Sequence, residues 1–272
     1  DEQVVDNFYA GEDIFADKEE IRLQPNQYVM LVSNSNDKKT ALARFYKYND
    51  PLVKMYKMDD VWGIDARNKE QSFALELLMD PDVEVVSLIG QAGSGKTLLA
   101  VAAGLEQVLG DDNEYKKLIV SRPIQPLGKD IGYLPGTLEE KMDPWLMPIK
   151  DNLEFLLGND RDTVKMYFEK GVIEIEAITY IRGRSITNAF IIIDEAQNLT
   201  RHELKTILTR VGEGTKIILT GDIEQIDNIY IDETSNGLTY AVEKFKEHDI
   251  SGHITLQKGE RSKVATLAAK IL

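Results

Sequence analysis

At 272 residues the chain is long enough for one large domain with an appendage, or for two modest ones. Its 43% hydrophobic and 29% charged residues predict a soluble globular protein with a sizeable core, and no apolar run approaches the roughly 20 residues that a membrane-spanning helix needs. With 32 Lys and Arg against 46 Asp and Glu the net charge is −14, so the chain is no bulk polyanion binder and any nucleic-acid contact must come from a local basic patch. The absence of cysteine excludes disulfides and thiolate metal sites and fits a cytoplasmic setting. Residues Asp1–Asp6 show no signal-peptide pattern, and a chain that opens on Asp is expected to be a fragment or a processed product.

From Ile21 to about Met58 the apolar residues fall in short β-prone runs, Tyr28–Val32, Leu42–Tyr48 and Leu52–Tyr56, separated by the polar clusters Ser33–Lys38 and Asn49–Pro51. This predicts a small antiparallel β unit over residues 1–60, whose plainest role is a packing appendage or linker. After Trp62 helices and strands alternate. Gln71–Met79 reads as a helix, Val83–Ile89 as a buried strand and Thr97–Leu109 as a helix. Leu118–Ser121, Val172–Ile175, Phe190–Ile193 and Lys216–Leu219 read as further buried strands. Thr137 with Glu140, and Thr200 with Glu203, have the spacing of capping boxes that open helices. Leu204, Ile207, Leu208 and Val211 follow at helical spacing, so the second of these helices should lay one face on a sheet. The alternation predicts an α/β fold over residues 61–272, a mostly parallel sheet with helices on both faces, preceded by the β-rich unit.

Gly90-Gln91-Ala92-Gly93-Ser94-Gly95-Lys96-Thr97 fits the Walker A pattern and sits between a predicted strand and a predicted helix. Glycines there let successive backbone N–H groups turn inward around phosphate oxygens, and the helix adds its positive dipole end. Lys96 should reach the β- and γ-phosphates of a nucleotide, the Thr97 hydroxyl should bind Mg²⁺, and Leu98 closes the binding segment. Phe190-Ile191-Ile192-Ile193-Asp194-Glu195 has the form of a Walker B strand. Asp194 at its end would hold the Mg²⁺ water shell, and Glu195 would act as general base on the attacking water. That adjacent acid argues for hydrolysis and against small-molecule kinase chemistry. A third strand ends in Leu219-Thr220-Gly221-Asp222-Ile223-Glu224-Gln225, where Thr220 and Gln225 either sense the γ-phosphate or form a polar turn.

Together these segments resemble the PhoH family of P-loop ATPases, whose core is similar to the first motor domain of superfamily-one helicases. The resemblance rests on Arg67-Asn68-Lys69-Glu70-Gln71, the Walker A, Ser121-Arg122-Pro123, Ile131-Gly132-Tyr133-Leu134-Pro135-Gly136, Arg182-Gly183-Arg184, Asp194-Glu195-Ala196-Gln197-Asn198, and Thr220-Gly221-Asp222 with Gln225. It spans roughly Asp65 to the C-terminus and implies a RecA-like P-loop fold that takes ATP and Mg²⁺. On spacing alone Gln71 is a solvent-facing helix residue. The resemblance makes it, with Asn68, part of the nucleotide site, since a carboxamide can pair with adenine N6 and N7. The N-terminal strands look like the connector that follows a PIN nuclease domain in longer family members, which implies such a domain upstream.

Efficient hydrolysis usually needs a cation on the developing γ-phosphate charge. The chain has a single phosphate loop, so a ring or other head-to-tail homo-oligomer, possible as a hexamer, is expected to supply an arginine in trans. Arg261, in Gly259-Glu260-Arg261-Ser262, is the preferred candidate, with Arg122 and Arg184 as alternatives. Two functions then compete. One is an ATPase coupled to RNA or single-stranded nucleic acid, an RNA helicase or a motor feeding a nuclease, for which Arg122, Lys129, Arg182 and Arg184 with Tyr133 and Trp145 are the local support. The other is a nucleotide-switched protein-interaction ATPase without a nucleic-acid substrate.

Overall fold

A computed structural model describes residues 3–16, 22–34, 36–111, 113–123, 138–158, 160–181, 183 and 185–257. The N-terminal unit begins with helix α1 (Val4–Tyr9) and continues through strands β1 (Gln27–Val32), β2 (Thr40–Phe45) and β3 (Val53–Lys54), which form an antiparallel sheet in the order β1-β2-β3. Along β2 the side chains alternate between two environments, as a strand requires. Ala41, Ala43 and Phe45 join Val5, Phe8 and Leu52 in a small core of their own, while Leu42 and Tyr28 pack against the main body. The expected run to Tyr48 stops at Phe45 because Lys47–Asp50 closes a turn, with Asp50 N–H donating to Lys47 O at 3.3 Å and Asn49 at φ 70°.

The main body follows as α2 (Lys69–Met79), β4 (Val85–Gly90), α3 (Lys96–Leu109), β5 (Lys117–Arg122), α4 (Leu138–Leu156), α5 (Arg161–Glu169), β6 (Ile173–Ala177), α6 (Ile178–Ile181) and β7 (Ala189–Ile193). A 3₁₀ turn (Ala196–Asn198), α7 (Arg201–Leu208), β8 (Lys216–Gly221), α8 (Gly237–Phe245) and β9 (Ser251–Leu256) complete it. Six strands pair in parallel in the order β6-β5-β7-β8-β4-β9, so β8 stands between the strand that enters the phosphate loop and the strand that ends in Asp194.

Both faces of this sheet are buried, and the apolar runs divide between them residue by residue. Phe190 and Ile192, Leu118 and Val120, and Ile218 face the cluster built with α2, α3 and α4. Ile191 and Ile193, Ile119, and Ile217 with Leu219 face the cluster built with α7 and α8. This two-sided burial is why the strands read as continuous hydrophobic runs without polar alternation. The Thr200–Glu203 capping box is present in both directions, whereas Thr137 lies outside the described residues. Helix α7 ends at Leu208, one turn short of Val211. The Thr206 and Thr209 hydroxyls bond back to His202 O and Thr206 O, and Gly212 N–H turns to Ile186 O at 2.7 Å.

Candidate active site

Parallel register brings the carboxyl ends of four strands to one edge. Leu88 pairs with Thr220, Ile193 with Leu219 and Ser121 with Ile193, so Gly90, Thr220, Asp194 and Arg122 end at neighbouring points. In an open α/β sheet that edge is where ligands bind. The loop leaving β4 turns at Gly93 and Gly95, with φ of 81° and 90°, values that side chains other than glycine rarely adopt. Gly90 is required for a different reason: a Cβ there would lie 2.5 Å from Leu256 O of β9.

Lys96 donates to Gly90 O at 2.6 Å and to Gln91 O at 3.0 Å, so its ammonium lies folded over the loop it would serve. Ala92 N–H donates to Asp222 Oδ2 at 3.0 Å, and Gln91 Nε2 donates to Glu224 Oε2 at 3.1 Å. The turn after β8 thus sets a carboxylate oxygen against a phosphate-loop amide, the kind of acceptor a phosphate oxygen is. Ser94 is buried, and Leu98 is half-buried in the first turn of α3.

Two hydroxyls converge on one carboxylate oxygen. Thr97 Oγ1 donates to Asp194 Oδ1 at 2.8 Å and Thr220 Oγ1 donates to the same atom at 2.6 Å. Thr220 is therefore committed to Asp194. The Thr97 hydroxyl and the Asp194 carboxylate are hard oxygen donors side by side, which is the donor chemistry magnesium takes. Among the described residues no group of three or more His, Asp or Glu side chains could hold a metal ion by itself, so phosphate oxygens and water would supply the remaining ligands.

Glu195 sits in the left-handed region at φ 54° and ψ 39°, a conformation costing about 1 kcal/mol or more for a non-glycine residue. Gln197 Nε2 donates to Glu195 Oε2 at 2.5 Å, and Arg122 reaches Glu195 Oε1 at 3.3 Å and Asp194 Oδ2 at 3.9 Å. Burial raises the Glu195 carboxyl above the usual carboxylate range, and the Asp194 charge adds to this. The Gln197 hydrogen bond and the Arg122 and Lys96 charges oppose the shift and are outweighed. A carboxylate so placed is a better proton acceptor than a free one.

Gln71 is not solvent-facing. It is 7% exposed, accepting from Arg67 N–H at 2.9 Å and donating from Nε2 to Ser94 O at 3.1 Å, so it joins α2 to the phosphate loop. Asn68 caps the same helix, its Oδ1 accepting from Gln71 N–H at 2.9 Å. The Gln225 side chain is exposed, and its backbone carbonyl accepts from Gln197 Nε2 at 2.9 Å. Arg261, Arg182, Arg184, Lys129 and Tyr133 lie outside the described residues, and Trp145 is half-buried on α4. Sequence reasoning assigned no role to Gln197, although it belongs to the Asp-Glu-Ala-Gln-Asn segment. Fully buried, it joins Glu195 to the β8 turn, its Oε1 also accepting from Asp222 N–H at 3.2 Å. A cavity of about 350 Å³, walled by Asn26, Ser87, Phe245 and His253 among others, includes none of these groups. The site is defined by its chemistry and not by its volume, as befits a phosphate chain held by backbone amides on an open lip.

The sheet order and the phosphate loop define the class, an α/β protein of P-loop fold. The family described as PhoH-like protein matches residues 63–271, and the chain belongs to the PhoH family. It is 51% identical along its whole length to Protein PhoH2 of Bacillus subtilis (strain 168), of which it covers 62%. Over 78% of the chain it is 42% identical to Protein PhoH2 of Mycolicibacterium smegmatis, covering 48% of that protein. The chain thus spans between about half and three-fifths of the length of these curated relatives. Among solved structures, the Sulfolobus solfataricus SWI2/SNF2 ATPase core in complex with dsDNA aligns with 75% of this chain and 46% of its own, at 14% identity and a TM-score of 0.40. The Pif1 helicase from Candida albicans aligns with 76% of this chain and 43% of its own, at 16% identity and a TM-score of 0.37. No helix among the described residues is long and apolar enough to cross a membrane.

Proposed function

We propose that the chain hydrolyses ATP with Mg²⁺ as a single-core, helicase-like motor coupled to RNA or another single-stranded nucleic acid. It works in the cytoplasm as a head-to-tail homo-oligomer and, in the longer protein, follows a PIN nuclease domain, with residues 1–60 as connector and 61–272 as the ATPase. The observation that carries the ATPase reading is the convergence of the Thr97 and Thr220 hydroxyls on Asp194, one residue before the half-buried Glu195 carboxylate that Gln197 holds.

In this reading Gly90–Leu98 cradle the phosphates, and Lys96 leaves its two carbonyl partners for the β- and γ-phosphate oxygens. Asn68 and Gln71 stand at the adenine side. Thr97 and Asp194 would hold Mg²⁺, which when bound would offset charge on the phosphate oxygens. A water oxygen forms the new bond to the γ-phosphorus and the bond to the β–γ bridging oxygen breaks. ADP leaves, and the water proton passes to Glu195. Gln225 senses the γ-phosphate, and Arg261 of a neighbouring copy stabilises its charge. Arg261→Ala hydrolysing ATP at the normal rate would overturn that last role.

The second reading, a nucleotide-switched protein-interaction ATPase, is favoured by the acidic stretch Ile217–Glu243, which lacks any Lys, Arg or His. Measuring ATP hydrolysis with and without single-stranded RNA separates the two. We expect stimulation by RNA, weakened by salt as phosphate contacts release counterions. Glu195→Gln should still bind ATP while turnover falls by about a hundredfold or more. Hydrolysis indifferent to RNA selects the second reading, and normal turnover by Glu195→Gln removes the general base.

A further inference from the structure

The loop after β8 holds two large apolar side chains in water, Ile229 at 87% and Tyr230 at 86% exposure. The backbone beneath them is fixed. Asn198 Oδ1 accepts from the amides of Asp227 and Asn228 at 2.8 and 3.3 Å, and the buried Asn228 side chain donates to Asn198 O at 3.0 Å and accepts from Tyr230 N–H at 3.1 Å. Exposing each side chain forgoes about 1.5–3 kcal/mol of burial. A turn fixed in advance lowers the entropy lost when it is covered. Both features suit an interface.

The surroundings select the partner. From Ile217 to Glu243 there is no basic residue, while Asp222, Glu224, Asp227, Asp232 and Glu233 surround the projection in sequence. Arg201 of α7 donates to Thr234 O of this segment at 3.1 Å, while the segment's own side chains bring only negative charge, to which an apolar surface with a basic rim is complementary. The chain carries such a surface: a cavity of about 240 Å³ between α7 and α8, walled by Leu204, Leu208 and Phe245 and rimmed by exposed Arg201, Lys205 and Lys244.

We propose that the Ile229–Tyr230 projection of one copy seats in the α7–α8 cavity of a second copy, with the flanking carboxylates against Arg201, Lys205 and Lys244. Projection and cavity are different surfaces, so the contact is heterologous and propagates head to tail until it closes. This rests on the assembly proposed above and names its surface. The projecting loop continues from Asp222, which touches the phosphate loop, and from Gln225, whose carbonyl is held by Gln197, so the contact is joined directly to the nucleotide site.

The test uses the full chain, which has no native cysteine. Tyr230→Cys and Lys244→Cys proteins, mixed under mild oxidation with and without ATP, should form disulfide-linked heterodimers well above either homodimer. Ile229→Asp and Tyr230→Asp change exposed positions and should weaken self-association by about tenfold or more in sedimentation, with the circular dichroism spectrum unchanged. Wild type that assembles while neither the cross-link nor the Asp variants have an effect would overturn this surface and leave the assembly standing. Wild type that stays monomeric with and without ATP would overturn both.

Discussion

At the scale of single residues, the site is organised around the two oxygens of Glu195. One faces Arg122 on the neighbouring strand β5 and the other accepts from Gln197, whose carboxamide also holds both the backbone carbonyl of Gln225 and the amide of Asp222. Gln197 is a positioning residue: it fixes where the carboxylate points and ties that direction to the turn after β8. Gln197→Leu should lower turnover by about tenfold to a hundredfold and leave ATP affinity nearly unchanged, a split that paired steady-state and equilibrium-binding measurements would reveal. That Gly90–Thr97 and the Asp194-Glu195 pair would meet was legible in the sequence, because each is a motif of short, fixed spacing at the end of an apolar strand. The Gln197 contacts were not, since they join Glu195, Asp222 and Gln225 from separate segments and exist only once β7 and β8 lie side by side. Gln71 misled for a related reason: its helix position is polar, yet both ends of its carboxamide are taken up by neighbouring backbone.

At the scale of elements, five strands of the parallel sheet were legible, the β6 edge included, and the strand at its other edge was not. Ser251–Leu256 carries a glycine and a histidine among its six residues and so does not read as an apolar β-rich run, yet it pairs with the whole of β4. Gly252 is there because a side chain would strike Leu77 of α2, with a Cβ 2.8 Å from its methyl groups. His253 is held between Ser87 Oγ at 2.9 Å and Thr255 Oγ1 at 3.0 Å. Burial depresses it from its ordinary value near 6.5 to about 4, against the opposing pull of the Glu243 charge and of a hydrogen bond to the Ser87 backbone. The unfolded chain therefore takes up a proton that the folded chain refuses between those two values. The stabilisation from neutral His253 is complete above pH 6.5 and is lost as pH falls toward 4. Urea unfolding at a series of pH values should show this acid-dependent loss in the wild type and its absence in His253→Gln.

At the scale of the whole molecule, the N-terminal sheet is joined to the main body through a buried cation. Arg44, 1% exposed, pairs with Glu76 of α2 at 3.4 Å and with Asp80, which caps that helix's C-terminal end, at 2.7 Å, donates to Asn26 Oδ1 at 2.7 Å, and lies 4.1 Å from the Tyr46 ring centre. Tyr28 stacks on Phe73 of the same helix at 4.5 Å. Helix α2 is thus gripped by the N-terminal sheet toward its last turns and by the phosphate loop, through Gln71, at its first. Arg44→Met should destabilise the protein by about 3 kcal/mol or more, because the two carboxylates stay behind without their cation, and Arg44→Lys should recover only part of the loss in denaturant unfolding. The β-rich character of this unit was legible in its short alternating runs. Its attachment was not, because Arg44 in an isolated strand pattern reads as an exposed charge.

Asn26 extends that attachment to the far side of the sequence, donating to Asp249 O at 2.6 Å and Ser251 O at 2.8 Å across more than two hundred residues. A ribosome delivers these partners in order. The outward side of the β1–β3 module, Tyr28 and Arg44 included, stays uncovered until Lys69–Met79 appears, and Asn26 waits for β9. Neighbour-to-neighbour contacts can form as the chain lengthens, but this closure is among the last to become available. A nascent chain that stalls before Ser251 therefore holds its β1–β3 module only half seated, the kind of unfinished surface that chaperones recognise.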